Sequence, residues 1–214
     1  MSYNCSIPCP IIVKNLDACP SKEIDLLVIG DWYEMFLVFL SCTPYPVGFT
    51  IIISSLYYRT TRLAFISGML VVGCLLISIL KNILKEPRPN FECNHEYGNP
   101  SNHSFFYSCI LLWFIMEWFV LEKKYRYNNY RVIGIFCILY PFLLYSRYHL
   151  FYHSIEQIVC GCLLGVMFSI LCFLFFTKCI LKIEWIANIY KKLGFKNNMS
   201  NDFIKQKKDM KNYF

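Results

Sequence analysis

Five apolar runs, each close to the roughly 20 residues an α-helix needs to cross the hydrocarbon core of a bilayer, constrain this chain more than any other feature. They extend roughly over Met35 to Tyr58, Leu63 to Leu84, Ser104 to Leu121, Val132 to Ser146 and Ile155 to Ile180. Lipid offers no partner for backbone N–H and C=O groups, so such runs are expected to be helices, which satisfy those groups within the segment. The expected fold class is therefore all-α, a polytopic transmembrane helix bundle of about five spans. The fourth run is short and carries Pro141, which a membrane helix tolerates when neighbours satisfy the freed carbonyl. The first holds Pro44 and Pro46, so it is expected to kink, or to begin earlier, near Ile24. Charged residues make up 16% of the chain, where soluble domains carry about a quarter, which argues for the same class. With no Gly- or Ser-rich linker, the expected organisation is a lumenal amino-terminal segment over 1–30, one membrane domain over 31–182 and a basic cytoplasmic tail over 183–214.

Charge supplies an orientation. Five spans put the loop from Arg59 to Arg62, the loop from Glu122 to Arg131 and the tail from Lys178 on one side, with 15 of the 21 Lys and Arg residues. The remaining six, Lys14, Lys22, Lys81, Lys85, Arg88 and Arg147, fall on the other. Lys and Arg are retained on the cytoplasmic side, so the basic-poor side reads as lumenal or extracellular. The net charge of +7 does not point to nucleic acid, because the basic residues cluster at the ends of apolar runs and form no stripe interleaved with exposed aromatics. Contact with anionic lipid is expected instead, the Lys205 to Lys211 stretch included. The opening MSYNCSIPCP lacks the basic start, apolar core and small-residue cleavage site of a signal peptide, so the first span is expected to direct insertion.

Eight of the 12 cysteines lie in apolar runs, where Cys behaves as a small buried hydrophobe. Cys5, Cys9, Cys19 and Cys93 lie outside them, and on a lumenal face they have the setting for one or two disulfides of unassigned pairing. His149 and His153 have the i,i+4 spacing of a zinc-binding helix, but no HExxH and no paired CxxC accompanies them, so no metal is expected.

Ionisable groups at a membrane edge are costly, and their clustering is a functional signal. Three segments concentrate them: Lys81 to Pro89, which closes the second run; Pro100 to Ser104, which opens the third; and Ser146 to Gln157, which joins the fourth to the fifth. All three fall on the basic-poor face. Lys81, Arg88 and Arg147, with His103, His153 and the amides of a helix start, are equipment for an anionic group, since Arg forks pair with phosphate oxygens and a helix start offers N–H donors. Singly, these residues have ordinary readings: Lys81 as a snorkelling side chain, Arg147 as an interfacial anchor, His95 and His149 as structural histidines.

The pattern K-x6-R-P, then P-S-x-H, then S-R-x5-H resembles the three-part signature of the type-2 phosphatidic acid phosphatase superfamily, whose members dephosphorylate lipid phosphates without metal. The resemblance covers roughly Tyr33 to Lys178. KEPRP, the stretch from Tyr97 to Ser104 and Tyr152 to Gln157 are similar to the subgroup acting on dolichyl pyrophosphate. The resemblance implies a hydrolase without cofactor in the endoplasmic reticulum membrane, its site facing the lumen, whose partner is a polyisoprenoid pyrophosphate lipid. His153 would be the nucleophile, forming a phosphohistidine, and His103 the general acid and then base. Lys81, Arg88, Arg147, Ser101 and the amides near Asn102 would hold the phosphoryl oxygens. Other lipid phosphates (phosphatidate, a sphingoid phosphate, undecaprenyl pyrophosphate) remain alternatives, as does a non-catalytic protein that binds phosphate headgroups or transports an anion.

Two positions depart from the superfamily pattern. Gln157 stands where most relatives have Asp; it can accept the imidazole N–H of His153 and fix its tautomer, but supplies no charge. Glu156 lies about 100° away around the helix and does not replace it. A phosphate leaving group is expected to make the missing charge tolerable. Asn102 stands where relatives have Gly or Ser, and Asn also adopts unusual dihedrals at modest cost. Asn102, Asn4 and Asn198 each begin a formal glycosylation sequon, of which only Asn4 is expected to be accessible.

Overall fold

The computed structural model describes residues 32–89, 97–120, 123–180 and 192–194. The expected segments 1–30 and 183–214 lie outside these, apart from 192–194, as do Cys5, Cys9, Cys19, Cys93 and His95. Among the described residues six α-helices follow in order: α1 (Trp32–Cys42), α2 (Pro44–Tyr58), α3 (Thr61–Leu84), α4 (Asn102–Val120), α5 (Lys123–His149) and α6 (Ile155–Phe175), the last running into a π-helical turn, Phe176–Ile180. Among the described residues there is no strand; Pro87 and Tyr97 form an isolated antiparallel bridge.

Among the described residues four spans are long and apolar enough to cross a membrane: Met35–Tyr58, Thr61–Leu84, Tyr130–His149 and Ile155–Lys178. The first is broken at Thr43, where Pro44 and Pro46 lack the N–H that would continue the ladder. The Thr43 hydroxyl donates to the Leu40 carbonyl at 2.6 Å, satisfying one group freed by the break. Pro141 sits inside α5, which continues through it to His149. The fifth expected span, Ser104 to Leu121, corresponds to α4, which is not among the four. It is the central helix, packed against α6 and α5, and Tyr107, Ile110, Trp113 and Glu117 are fully buried along it. Shielded by its neighbours, it carries polar residues that a lipid-facing helix would not.

Outward positions are apolar, as on Leu75 and Ile79 of α3 and Leu163 and Leu171 of α6, which suits a lipid surround. Inward, α4 and α6 meet through small residues. A Cβ on Gly161 would lie 2.5 Å from the Ser101 carbonyl oxygen, and one on Gly165 would lie 2.5 Å from that of Phe105. Ser169, one turn on, is buried and donates to the Cys109 carbonyl at 2.9 Å. This run of small residues every fourth position lets the two backbones approach closely, as membrane helices do without a hydrophobic drive between them. At the opposite end of α4 from Asn102, Arg62 of α3 makes a two-pronged pair with fully buried Glu117, one arm at 2.6 Å, and its guanidinium lies over the Phe114 ring.

Candidate active site

The site is assembled at one end of the bundle by three chain reversals. The last turn of α3 carries Lys81. Lys85 then adopts left-handed backbone (φ 51°, ψ 29°), its N–H on the Lys81 carbonyl at 2.9 Å, and turns the chain off the helix. Glu86, Pro87 and Arg88 run beside Tyr97 and Gly98, held by the Pro87–Tyr97 bridge and by the Gly98 N–H on the Glu86 carbonyl at 2.7 Å. Asn99 donates its side-chain amide to Glu86 Oε2 at 2.6 Å and precedes a cis bond to Pro100.

The second reversal opens α4. The Ser101 N–H donates to the Gln157 carbonyl at 3.1 Å, and the Ser101 hydroxyl accepts from Ser104 Oγ at 3.1 Å. Ser101 is wholly buried, Asn102 is the first helical residue, and its Oδ1 is buried without a protein partner. The His103 ring donates to the Ser41 carbonyl of α1 and meets the Tyr45 ring edge-on at 6.0 Å; its Nε2 is buried and has no protein partner.

The third reversal follows α5. Phe151 takes left-handed backbone (φ 56°), and the N–H groups of Tyr152 and His153 both donate to the Arg147 carbonyl at 3.2 Å, so the turn folds back on Arg147 itself. Arg147 is 2% exposed, its guanidinium 4.2 Å from the centre of the Tyr152 ring, and His153 is 1% exposed. Ser154 then caps α6 in a reciprocal box with Gln157: its hydroxyl accepts from the Gln157 N–H at 3.3 Å, and Gln157 Oε1 faces the Ser154 N–H at 3.4 Å. The same Oε1 lies 3.2 Å from His153 Nδ1, while Nε2 donates to Glu86 Oε1 at 2.8 Å and to the Pro87 carbonyl at 2.9 Å.

Burial, then Arg147, Arg88, Lys81 and His103 in that order, hold the His153 imidazole well below its usual protonation range, so at neutral pH it is uncharged. Burial, then Arg147 and Lys81, depress the His103 imidazole in the same direction, with Arg88 adding to them and the bond to the Ser41 carbonyl opposing them. Lys81, Arg88 and Arg147 thus all act on both His103 and His153, and Gln157 lies against His153, with Ser101 and Asn102 at the adjoining helix start. His149 is apart: α5 ends there, the zinc-like spacing with His153 spans no common helix, and its ring stacks on Tyr145 at 5.4 Å. Among the described residues no cluster of three His, Cys, Asp or Glu is placed to hold a metal.

Sequence reasoning overlooked three contributors. Glu86 stands in full view between Lys85 and Pro87, but its link to Gln157 crosses 71 positions and exists only in space. Gly98 is needed because a Cβ there would fall 2.3 Å from Gln157 Oε1. The capping box was readable, since Ser154 and Gln157 have the S-x-x-Q spacing that marks helix starts.

A family model described as the PAP2 superfamily matches residues 62–181. Among curated proteins the chain is 30% identical over 148 residues to dolichyldiphosphatase 1 of Dictyostelium discoideum, covering 64% of this chain and 62% of that one. It is 29% identical over 164 residues to dolichyldiphosphatase 1 of Homo sapiens, covering 68% and 66%. The matched region thus spans a little under two thirds of these relatives. Among solved structures the fold is similar to a transmembrane PAP2 type phosphatidylglycerolphosphate phosphatase from Bacillus subtilis, with a TM-score of 0.56 at 18% identity, over 72% of this chain and 81% of that one. With the family model matched from α3 to the end of the bundle, and the same helical fold in a solved relative, this chain is a multi-pass membrane protein that belongs to the PAP2 superfamily.

Proposed function

We propose that this chain hydrolyses dolichyl pyrophosphate to dolichyl monophosphate and phosphate through a phosphohistidine on His153, without metal, at the lumenal face of the endoplasmic reticulum membrane. The observation that carries this reading is a buried His153 ring anchored through Nδ1 to Gln157, its protonation disfavoured by burial and by Arg147, Arg88, Lys81 and His103. Binding alone would need only the cations; two histidines add a nucleophile and a proton carrier. His153 Nε2 attacks the terminal phosphorus as the bridging P–O bond breaks, and His103, protonated once the negative charge of the bound pyrophosphate offsets the surrounding cations, delivers that proton to the departing lipid phosphate. His103 then takes a proton from water, which cleaves the P–N bond and releases phosphate. Lys81, Arg88 and Arg147, with the Ser101 hydroxyl hydrogen and the amides at Asn102 and His103, stabilise charge on the three non-bridging oxygens.

The two dolichyldiphosphatase relatives support the substrate, and the basic-poor face of the sequence supports lumenal placement. Turnover there recycles the glycosylation carrier lipid. The test is phosphate release from dolichyl pyrophosphate by purified protein in the presence of a chelator, beside phosphatidate, a sphingoid phosphate and undecaprenyl pyrophosphate. Dolichyl pyrophosphate should have the highest kcat/KM, and His153→Ala should abolish release. Turnover that persists in His153→Ala, or that a chelator removes, defeats the mechanism; preference for another lipid defeats the substrate.

A further inference from the structure

The amide of Gln157 is oriented by its neighbours without appeal to assignment of its atoms. The Glu86 carboxylate and the Pro87 carbonyl both face one terminal atom, at 2.8 and 2.9 Å, and both groups only accept. That atom is therefore the nitrogen. The other terminal atom faces the Ser154 backbone N–H, which only donates, and so is the oxygen. An amide oxygen 3.2 Å from His153 Nδ1 can only accept, so the imidazole proton sits on Nδ1 and the lone pair on Nε2. Glu86 is in turn fixed by Asn99 Nδ2 on its second oxygen and by the Gly98 N–H on its carbonyl.

We infer that Glu86 is a positioning residue of the phosphatase site: through the Gln157 amide it holds His153 in the nucleophilic tautomer and supplies the negative charge that Gln157 lacks. The inference rests on the phosphohistidine reading above. When Nε2 bonds to phosphorus and Nδ1 keeps its proton, the ring becomes cationic, among Arg147, Arg88, Lys81 and His103, all of which oppose that charge. The Glu86 carboxylate, one amide away, offsets it. A carboxylate directly against the imidazole would offset that charge in one step; here it stands one step removed, the amide carrying its polarisation. Glu86 itself does not touch the ring, so its effect belongs to the chemical step and not to binding.

The experiment compares wild type with Glu86→Gln, Gln157→Glu and the double exchange, using farnesyl pyrophosphate as a soluble probe and acid-quenched phosphoenzyme labelled from radioactive terminal phosphate. Glu86→Gln should lower kcat about 10- to 100-fold, the usual range for an outer partner that orients a histidine, with KM within about twofold. Gln157→Glu alone should be worse, because it sets two carboxylates 2.8 Å apart. The double exchange restores one charge and one amide, and should exceed Gln157→Glu by tenfold or more in kcat and in the rate of phosphoenzyme formation. Losses that simply multiply in the double variant, or a Glu86→Gln enzyme with wild-type kcat, overturn the inference. Should Glu86→Gln fail to fold, the comparison of Gln157→Glu with the double exchange still decides it. The phosphohistidine reading fails separately, if wild type yields no phosphoenzyme or His153→Ala yields as much.

Discussion

Substituting Gly161 by Ala adds one methyl group where α6 crosses the start of α4, and the consequence can be worked from the distances. The new Cβ would lie 2.5 Å from the Ser101 carbonyl oxygen, 3.1 Å from Ser104 Cβ and 3.2 Å from the Ser101 nitrogen. Carbon–oxygen contacts of this kind settle near about 3.3 Å, so the helices must part by roughly 0.8 Å. Backbone, unlike the end of a flexible side chain, cannot turn aside. Ser101 adjoins Asn102 and His103, and Gly161 lies one turn from Gln157, so the separation pulls the two halves of the site apart. Overpacking of this size costs about 1–3 kcal/mol, partly offset by the roughly 1 kcal/mol that Ala gains over Gly in a helix. Catalysis is less forgiving, since a displacement near 1 Å costs on the order of 100-fold. The expected signature is thus a large fall in kcat with a small fall in thermal stability, measured by phosphate release and by thermal unfolding of the detergent-solubilised protein. Gly165→Ala, with a like clash against Phe105 one turn further from the site, should match it in stability and lose less activity. Gly68→Ala and Gly134→Ala meet nothing within 4 Å and serve as controls. If Gly161→Ala turns over within twofold of Gly68→Ala, the close crossing does not position the site.

Gly98→Ala should reduce kcat with KM little changed, because its Cβ would displace the Gln157 amide at 2.3 Å; steady-state kinetics showing a pure KM effect would contradict this. Arg62→Ala removes the cation paired with the buried Glu117 carboxylate and should destabilise by about 3 kcal/mol, the low end for a broken buried pair because Arg62 is partly exposed. Arg62→Ala/Glu117→Gln should regain most of that in thermal unfolding, and a double variant no more stable than the single would show that the pair is not the cause. For pH, His153 attacks only when deprotonated, so kcat/KM falls as pH falls through its pKa; because that pKa is depressed, the acid limb should lie below the usual imidazole value of about 6.5. Removing a cation with Lys81→Met raises the pKa and should move the limb upward, and a limb that stays in place would mean another group sets it.

Much of the bundle was legible because lipid forbids unsatisfied backbone, so a long apolar run has one structural outcome. Thr61–Leu84 and Ile155–Lys178 follow that rule closely, and the break at Thr43 follows from two prolines without N–H groups. The central helix α4 was read as a span, Ser104 to Leu121, although burial by its neighbours lets it keep His103, Ser108 and Glu117, which dilute its apolar pattern. For Lys81, Arg88, His103, Arg147 and His153 the sequence supplied an expectation, that alternation of spans puts their segments at one membrane face; the structure has the three cations acting on both histidines at one end of the bundle.

What the amino-acid order determined by itself was local or topological: which segments are helical, where prolines break them, and which charges share a side. Only the tertiary structure decided that Gly161 brings α6 against the Ser101 carbonyl, and that Glu86 reaches Gln157 across 71 positions. The physical reason is that helix periodicity and hydrophobic length act over a few residues, whereas a hydrogen bond between loops depends on where separate helices end and how closely they pack. The hydrogen bonds that fix the Gln157 amide beside His153 arise from that packing.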